Sequence, residues 1–183
     1  MILGLGHDVV DLAAFAGQLA EPGTRMRALF SARELRQASA RAAAKHDAES
    51  THLAGKWAGK ESVLKAWCEA LGERPNPYTL DDFPWSGVEI LDDSRGRPGV
   101  VLHANVHRAL AESLAESLGE SLAGPPAGLL GGLSGGSSVG PLNEPPSQMP
   151  PTAREAPFIW HISLSHDGGV ASAVVLLEVR ARA

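Results

Sequence analysis

The first ten residues mix apolar side chains with glycines, and the run from Ile2 to Val10 predicts a buried strand. Alternation along it places Gly4, Gly6 and Asp8 on one face and Leu5, His7 and Val9 on the other. Two glycines on the Asp8 face predict close approach of a neighbouring backbone there. Ser31 followed three residues later by Glu34 is a capping-box signature, so a helix is expected to start there, with Arg33, Arg36, Arg41 and Lys45 as a local basic surface along it. From His52 to Leu71, Leu53, Trp57, Val63, Leu64, Ala66 and Trp67 give a second helix a broad apolar surface, and Glu61 and Lys65 lie one turn apart on one side of it.

Further along, Val88 to Leu91 and Val100 to His103 predict two strands joined by the turn-rich stretch from Asp92 to Pro98, an antiparallel hairpin. Between Asn105 and Leu122 the unit Glu-Ser-Leu recurs every four residues, so Leu110, Leu114, Leu118 and Leu122 drift slowly around a helix. Phe158 to Ser165 alternates again: Phe158, Trp160, Ile162 and Leu164 form a core face, and Ile159, His161, Ser163 and Ser165 a largely polar one. His166 to Gly169 is read as the turn into a last strand, Val170 to Val179. The order predicts an α+β fold, an antiparallel sheet with helices packed on one face.

Composition refines this picture. With 183 residues, 44% hydrophobic and 20% charged, the chain is expected to form one domain over 1–183. The stretch 123–157 is dominated by Gly, Pro and Ser and predicts a disordered insertion. Aromatics are only 5%, so the core is expected to be aliphatic around a few Trp and Phe anchors. A net charge of -5 argues against nucleic acid as the main ligand. The single Cys68 forms no internal disulfide, and beside Trp67 it is expected to pack in the core rather than act as a nucleophile. A signal-peptide pattern and an apolar run of about 18 residues are both lacking, so no membrane partner and a cytoplasmic location are expected.

Asp8 on a strand and Glu61 on a helix can converge only through the fold; two carboxylates with waters suit a hard cation such as Mg²⁺, but spacing alone leaves both as ordinary surface acids. The segments Gly4-Leu5-Gly6-His7-Asp8-Val9-Val10, Trp57-Ala58-Gly59-Lys60-Glu61-Ser62-Val63-Leu64-Lys65-Ala66 and His161-Ile162-Ser163-Leu164-Ser165-His166 occur in that order. Together they resemble the holo-acyl-carrier-protein synthase family, over residues 1 to about 122 and 158 to 179, and its actinobacterial branch through Phe15 to Gly23 and Lys65-Ala66-Trp67.

The resemblance implies a 4′-phosphopantetheinyl transferase fold and transfer of the 4′-phosphopantetheine arm of coenzyme A to a serine of apo acyl carrier protein, serving fatty acid biosynthesis. It implies Asp8 and Glu61 as Mg²⁺ ligands and Lys65 as an ammonium on the same phosphates. Lys60, turned about 100° from Glu61, either pairs structurally or reaches another part of the cofactor. Lys56 stands where the family often has arginine and implies a looser phosphate contact. His161, with Ser163 as a hydrogen-bonding neighbour, is implied at the nucleotide end of coenzyme A, and His166 is a weaker candidate. The serine proton has three possible acceptors: Glu61, a hydroxide on the metal, or a water ordered by Asp8.

The family also implies a homotrimer with sites at subunit interfaces. Two alternatives carry the same motifs: a transferase serving polyketide or peptide synthase carrier domains, and a weakly active paralogue that binds carrier protein or coenzyme A. Family members often carry threonine at position 7, a basic residue near position 14 and alanine at 59, where this chain has His7, Ala14 and Gly59. With Ala14 uncharged, carrier recognition is expected to lean on Arg25, Arg27, Arg33 and Arg36.

Overall fold

The computed structural model describes residues 1–123 and 158–180. The segment expected to be a disordered insertion lies, apart from residue 123, outside the described residues.

Strand β1 (Ile2–Asp11) leads into helix α1 (Leu12–Ala20), then α2 (Ala32–Lys45) and the long α3 (Glu49–Leu71). A hairpin of β2 (Val88–Asp92) and β3 (Pro98–Leu102) precedes α4 (Ala104–Ala123), and β4 (Phe158–Asp167) with β5 (Val170–Val179) closes the order. The strands form two antiparallel sheets rather than the single one expected, β1-β5-β4 and β2-β3. Both predicted hairpins are present. The second turns on Gly168 and Gly169 alone, at φ 56° and 87°, with Asp167 paired to Val170. Two consecutive left-handed residues make the tight two-residue turn that favours glycine. His166 therefore belongs to β4 and not to the turn.

Burial along β1 alternates as expected, with Gly4, Gly6 and Asp8 inward. The reason for the glycines is steric. A Cβ on Gly6 would overlap the carbonyl oxygen of Ser62, and one on Gly4 that of Ala66, so β1 lies directly against the backbone of α3. Ser62 Oγ donates to the Ala173 carbonyl at 3.0 Å and ties α3 to β5. Gly59 faces Ile90 and Ile162, where an added Cβ would come within 2.9 Å and 3.3 Å of their side chains, so its small size admits close packing.

Helix α3 is buried on most of its circumference, as a helix enclosed by neighbours should be. Trp67 is fully buried, with Tyr78 and Phe83 edge-on at 6.1 Å and 6.2 Å, inside a core otherwise built from Val, Leu, Ile and Ala. Cys68, one residue on, is exposed, with Asn76 Nδ2 at 3.6 Å from its sulfur. The expectation that it packs in the core fails because Cys68 falls on the exposed side of α3 with Lys65 and Glu69, while the buried stripe runs on from Trp67 to Leu71.

Helix α1 is an element the periodicity did not predict. Its start is marked by Asp11, whose carboxylate accepts from the Ala14 amide at 2.7 Å. The predicted capping box at Ser31 and Glu34 is present in both directions.

Candidate active site

The packing of β1 on α3 brings Asp8 and Glu61 together at the edge of the three-stranded sheet. Lys65 reaches the same point from one turn further along α3: its ammonium donates to Asp8 Oδ1 at 2.8 Å and to the His7 carbonyl at 3.1 Å. The Asp8 side chain is 9% exposed, and its Oδ2 is buried with no hydrogen-bond partner. An unsatisfied carboxylate oxygen in a buried position is costly unless a proton on the neighbouring Glu61 or a cation meets it.

The electrostatics carry the same sign. Burial raises the pKa of Glu61 from 4.5 to about 7; a hydrogen bond to Asp8 that only the protonated acid can donate adds to this, as does the charge of Asp8, while Lys65 acts in the opposite direction. Two carboxylates therefore crowd one place with a single ammonium against them. Among the described residues no three His, Cys, Asp or Glu side chains cluster as a metal cage. The donor set fits a hard divalent cation that takes two carboxylates from the protein and its remaining oxygens from water and substrate.

The other sequence candidates are placed differently. Lys60 is fully buried: its ammonium pairs with Glu34 at 2.9 Å and donates to the carbonyls of Trp85, at 2.7 Å, and Val88. Burial lowers its pKa, with Glu34 opposing. No face of it is open to a ligand, so of the two readings the structural pairing is the one found.

Lys56 is 5% exposed in its side chain and donates to the Ile90 carbonyl at 2.7 Å and to Gln37 Oε1 at 3.2 Å. It lines a groove of about 160 Å³ between α2, α3, β4 and the first hairpin. Arg41, Lys45, Thr51, His52, Ser165 and His166 line the same groove. An adjoining cavity of about 470 Å³ runs between α2 and residues 92–96 and shares Arg41. Cations, imidazoles and hydroxyls around a cleft suit a phosphorylated nucleoside.

His166 takes its place in the groove from strand register. The row Val10, Ala171, His166 follows the row Asp8, Ala173, Leu164 on the face that packs against α3. His161 and Ser163 belong to the opposite, outward face, where His161 Nε2 meets Glu178 at 2.8 Å. Within one chain they do not join Asp8, Glu61 and Lys65. Sequence reasoning ranked His161 above His166; the alternation of β4, carried one residue beyond Ser165, was the signal that separates them. Of the arginines expected to meet a carrier, Arg27 pairs with Glu49 at 3.0 Å and Arg33 forks onto Glu89, while Arg25 and Arg36 are exposed.

Comparison with known proteins bears on the fold and the family. The chain is 50% identical over 182 residues to a holo-[acyl-carrier-protein] synthase of Bifidobacterium animalis subsp. lactis, covering 98% of this chain and 99% of that protein. It is 45% identical over 185 residues to the synthase of Bifidobacterium adolescentis, covering 97% and 100%. Its fold matches an ACPS–CoA complex from Chronobacterium ammoniagenes with a TM-score of 0.67 at 28% identity, over 97% of this chain and 98% of that one. Residues 4–123 match the family model of the 4′-phosphopantetheinyl transferase superfamily, and the chain belongs to that family.

Proposed function

We propose that the protein transfers the 4′-phosphopantetheine arm of coenzyme A to a serine hydroxyl of apo acyl carrier protein, releasing adenosine 3′,5′-bisphosphate, in the cytoplasm and for fatty acid biosynthesis. The observation that carries this reading is the pair Asp8 and Glu61, converged with Lys65 around an orphaned carboxylate oxygen. Relatives named as holo-acyl-carrier-protein synthases and a relative complexed with coenzyme A support the substrates.

Asp8 and Glu61 would hold Mg²⁺. When bound, the ion neutralises charge that builds on the diphosphate as the phosphorus–oxygen bond to the leaving bisphosphate breaks. Asp8 is held rigidly for this task, because β1 cannot slide over α3 with its glycines against backbone carbonyls. Lys65 adds a mobile ammonium for the same phosphates, its side chain being 51% exposed. The groove beside His52, His166, Arg41 and Lys45 suits the adenosine phosphate end, with Lys56 in its wall.

The homotrimer expected of the family has support in the same layout. The groove borders β4, whereas Asp8 lies on β1, two strand spacings or about 10 Å away, and Glu61 on α3, which packs on the intervening face. The outward sheet face, with Leu5, Val9 and Val174 at 50%, 52% and 39% exposure, supplies apolar surface for a contact between copies.

The test is mass spectrometry of apo acyl carrier protein incubated with the purified protein, coenzyme A and Mg²⁺. The carrier should gain one phosphopantetheine arm, and an unchanged mass would reject the reading. Offering fatty-acid, polyketide and peptide carriers in competition identifies the pathway by which carrier is modified first.

A further inference from the structure

The ammonium of Lys65 sits on the carboxylate that would hold a metal. It donates to Asp8 Oδ1, while Oδ2 of the same carboxylate is buried without a partner. Among the described residues its ammonium otherwise meets the neutral His7 carbonyl, at 3.1 Å, and its side chain is half-exposed. Nothing packs Lys65 in place in the way that Glu34, Trp85 and Val88 lock Lys60.

We infer that Lys65 is a placeholder cation: it occupies Asp8 in the metal-free site and swings outward to the diphosphate when metal and coenzyme A bind. The inference rests on the reading that Asp8 and Glu61 hold the metal. Charge decides the direction of the exchange. Once Glu61 has given up its proton to bind metal, two carboxylates and one ammonium sum to a single negative charge, which a divalent ion would turn into a single positive one with Lys65 still in place. The ammonium and the metal then repel each other across Asp8, and metal binds weakly by itself. A diphosphate relieves that repulsion by offering the ammonium a second, stronger anionic partner. Metal and coenzyme A therefore help each other through one side chain, and by linkage each raises the affinity of the other by the same factor.

The experiment is calorimetric titration of Mg²⁺ onto the full chain, with and without coenzyme A, for the wild type, Lys65→Met, Lys65→Arg and Asp8→Asn. Because the side chain is half-exposed, Lys65→Met should fold normally, which circular dichroism verifies. Without coenzyme A, Lys65→Met should bind Mg²⁺ at least roughly five-fold more tightly than the wild type, the lower end of ordinary coupling between sites. The gain in Mg²⁺ affinity on adding coenzyme A should shrink by a similar factor. Lys65→Arg, which keeps the charge, should stay near the wild type without coenzyme A.

Metal binding by Lys65→Met no tighter than in the wild type would overturn the placeholder role and leave the metal pair standing. Tighter binding with undiminished coupling would show simple removal of a charge and would also overturn the exchange. If the wild type binds Mg²⁺ no better than Asp8→Asn, with or without coenzyme A, the metal pair and the placeholder fall together.

Discussion

Three lysines on α3, at positions 56, 60 and 65, look alike in the sequence and have three different lives in the fold. Lys60 is a buried tie among Glu34 and two carbonyls, Lys56 a groove wall, and Lys65 a half-exposed arm on Asp8. Helical phase separates Lys65 from Lys60, but what each one meets depends on β1, β2 and α2, which arrive from elsewhere in the chain. Glu61 yields a prediction at this scale. The fold raises its pKa from 4.5 to about 7, so the metal-free native protein holds a proton that the unfolded chain has released. That contribution to stability is complete below the unfolded value of 4.5 and is lost as pH climbs through about 7. Mg²⁺ must displace the same proton. The rise in Tm on adding Mg²⁺ should thus grow with pH up to about 7 and then level off, as thermal melts with and without the ion will measure. A Mg²⁺ effect independent of pH would contradict it. Glu89 behaves in the opposite sense: hydrogen bonding to Arg33 lowers its pKa to about 2, so its contribution is present above 4.5 and is lost as pH falls towards 2.

At the scale of elements, the site is a consequence of β1 lying on α3. Gly4 and Gly6 announced a close approach in the sequence, and the alternation that put Asp8 beside them was legible from the first ten residues. Partner and depth of contact were not, because nothing local says that the carbonyls of Ser62 and Ala66 are the neighbours. Gly6→Ala should therefore destabilise the protein by about 3 kcal/mol or more, since the methyl meets backbone that cannot yield. Denaturant unfolding will measure it, and a loss below about 1 kcal/mol would show that the strand is free to lift from the helix. Helix α1 escaped prediction because its cap, Asp11, also ends the preceding strand, and a short alanine-rich segment has little periodicity of its own. His166 was misjudged for a related reason: two glycines suffice for the turn, which returns the histidine to the strand and to the α3 face.

At the scale of the whole molecule, the three-stranded sheet has one face on α3 and the other carrying Leu5, Val9, Val174, His161 and Ser163. The sequence showed the polar half of that face on β4 but not that the apolar residues of β1 and β5 lie next to it, since strand order is a property of the assembled sheet. If this face joins copies of the chain, light scattering should report a trimer, and Val174→Asp should give a monomer with little activity. A monomeric wild type with full activity would contradict the interface. Family membership makes the transfer reaction the natural reading, but the claim particular to this structure is that Asp8 and Glu61 act as an oxygen cage. Glu61→Gln keeps the shape of the side chain and removes its charge, so it isolates that role. The direct measurement is the rate at which apo acyl carrier protein gains the phosphopantetheine mass with wild type and Glu61→Gln at saturating coenzyme A and Mg²⁺. The account predicts a loss of at least about 100-fold in a variant whose circular dichroism is unchanged; a rate within a few-fold of the wild type would contradict it.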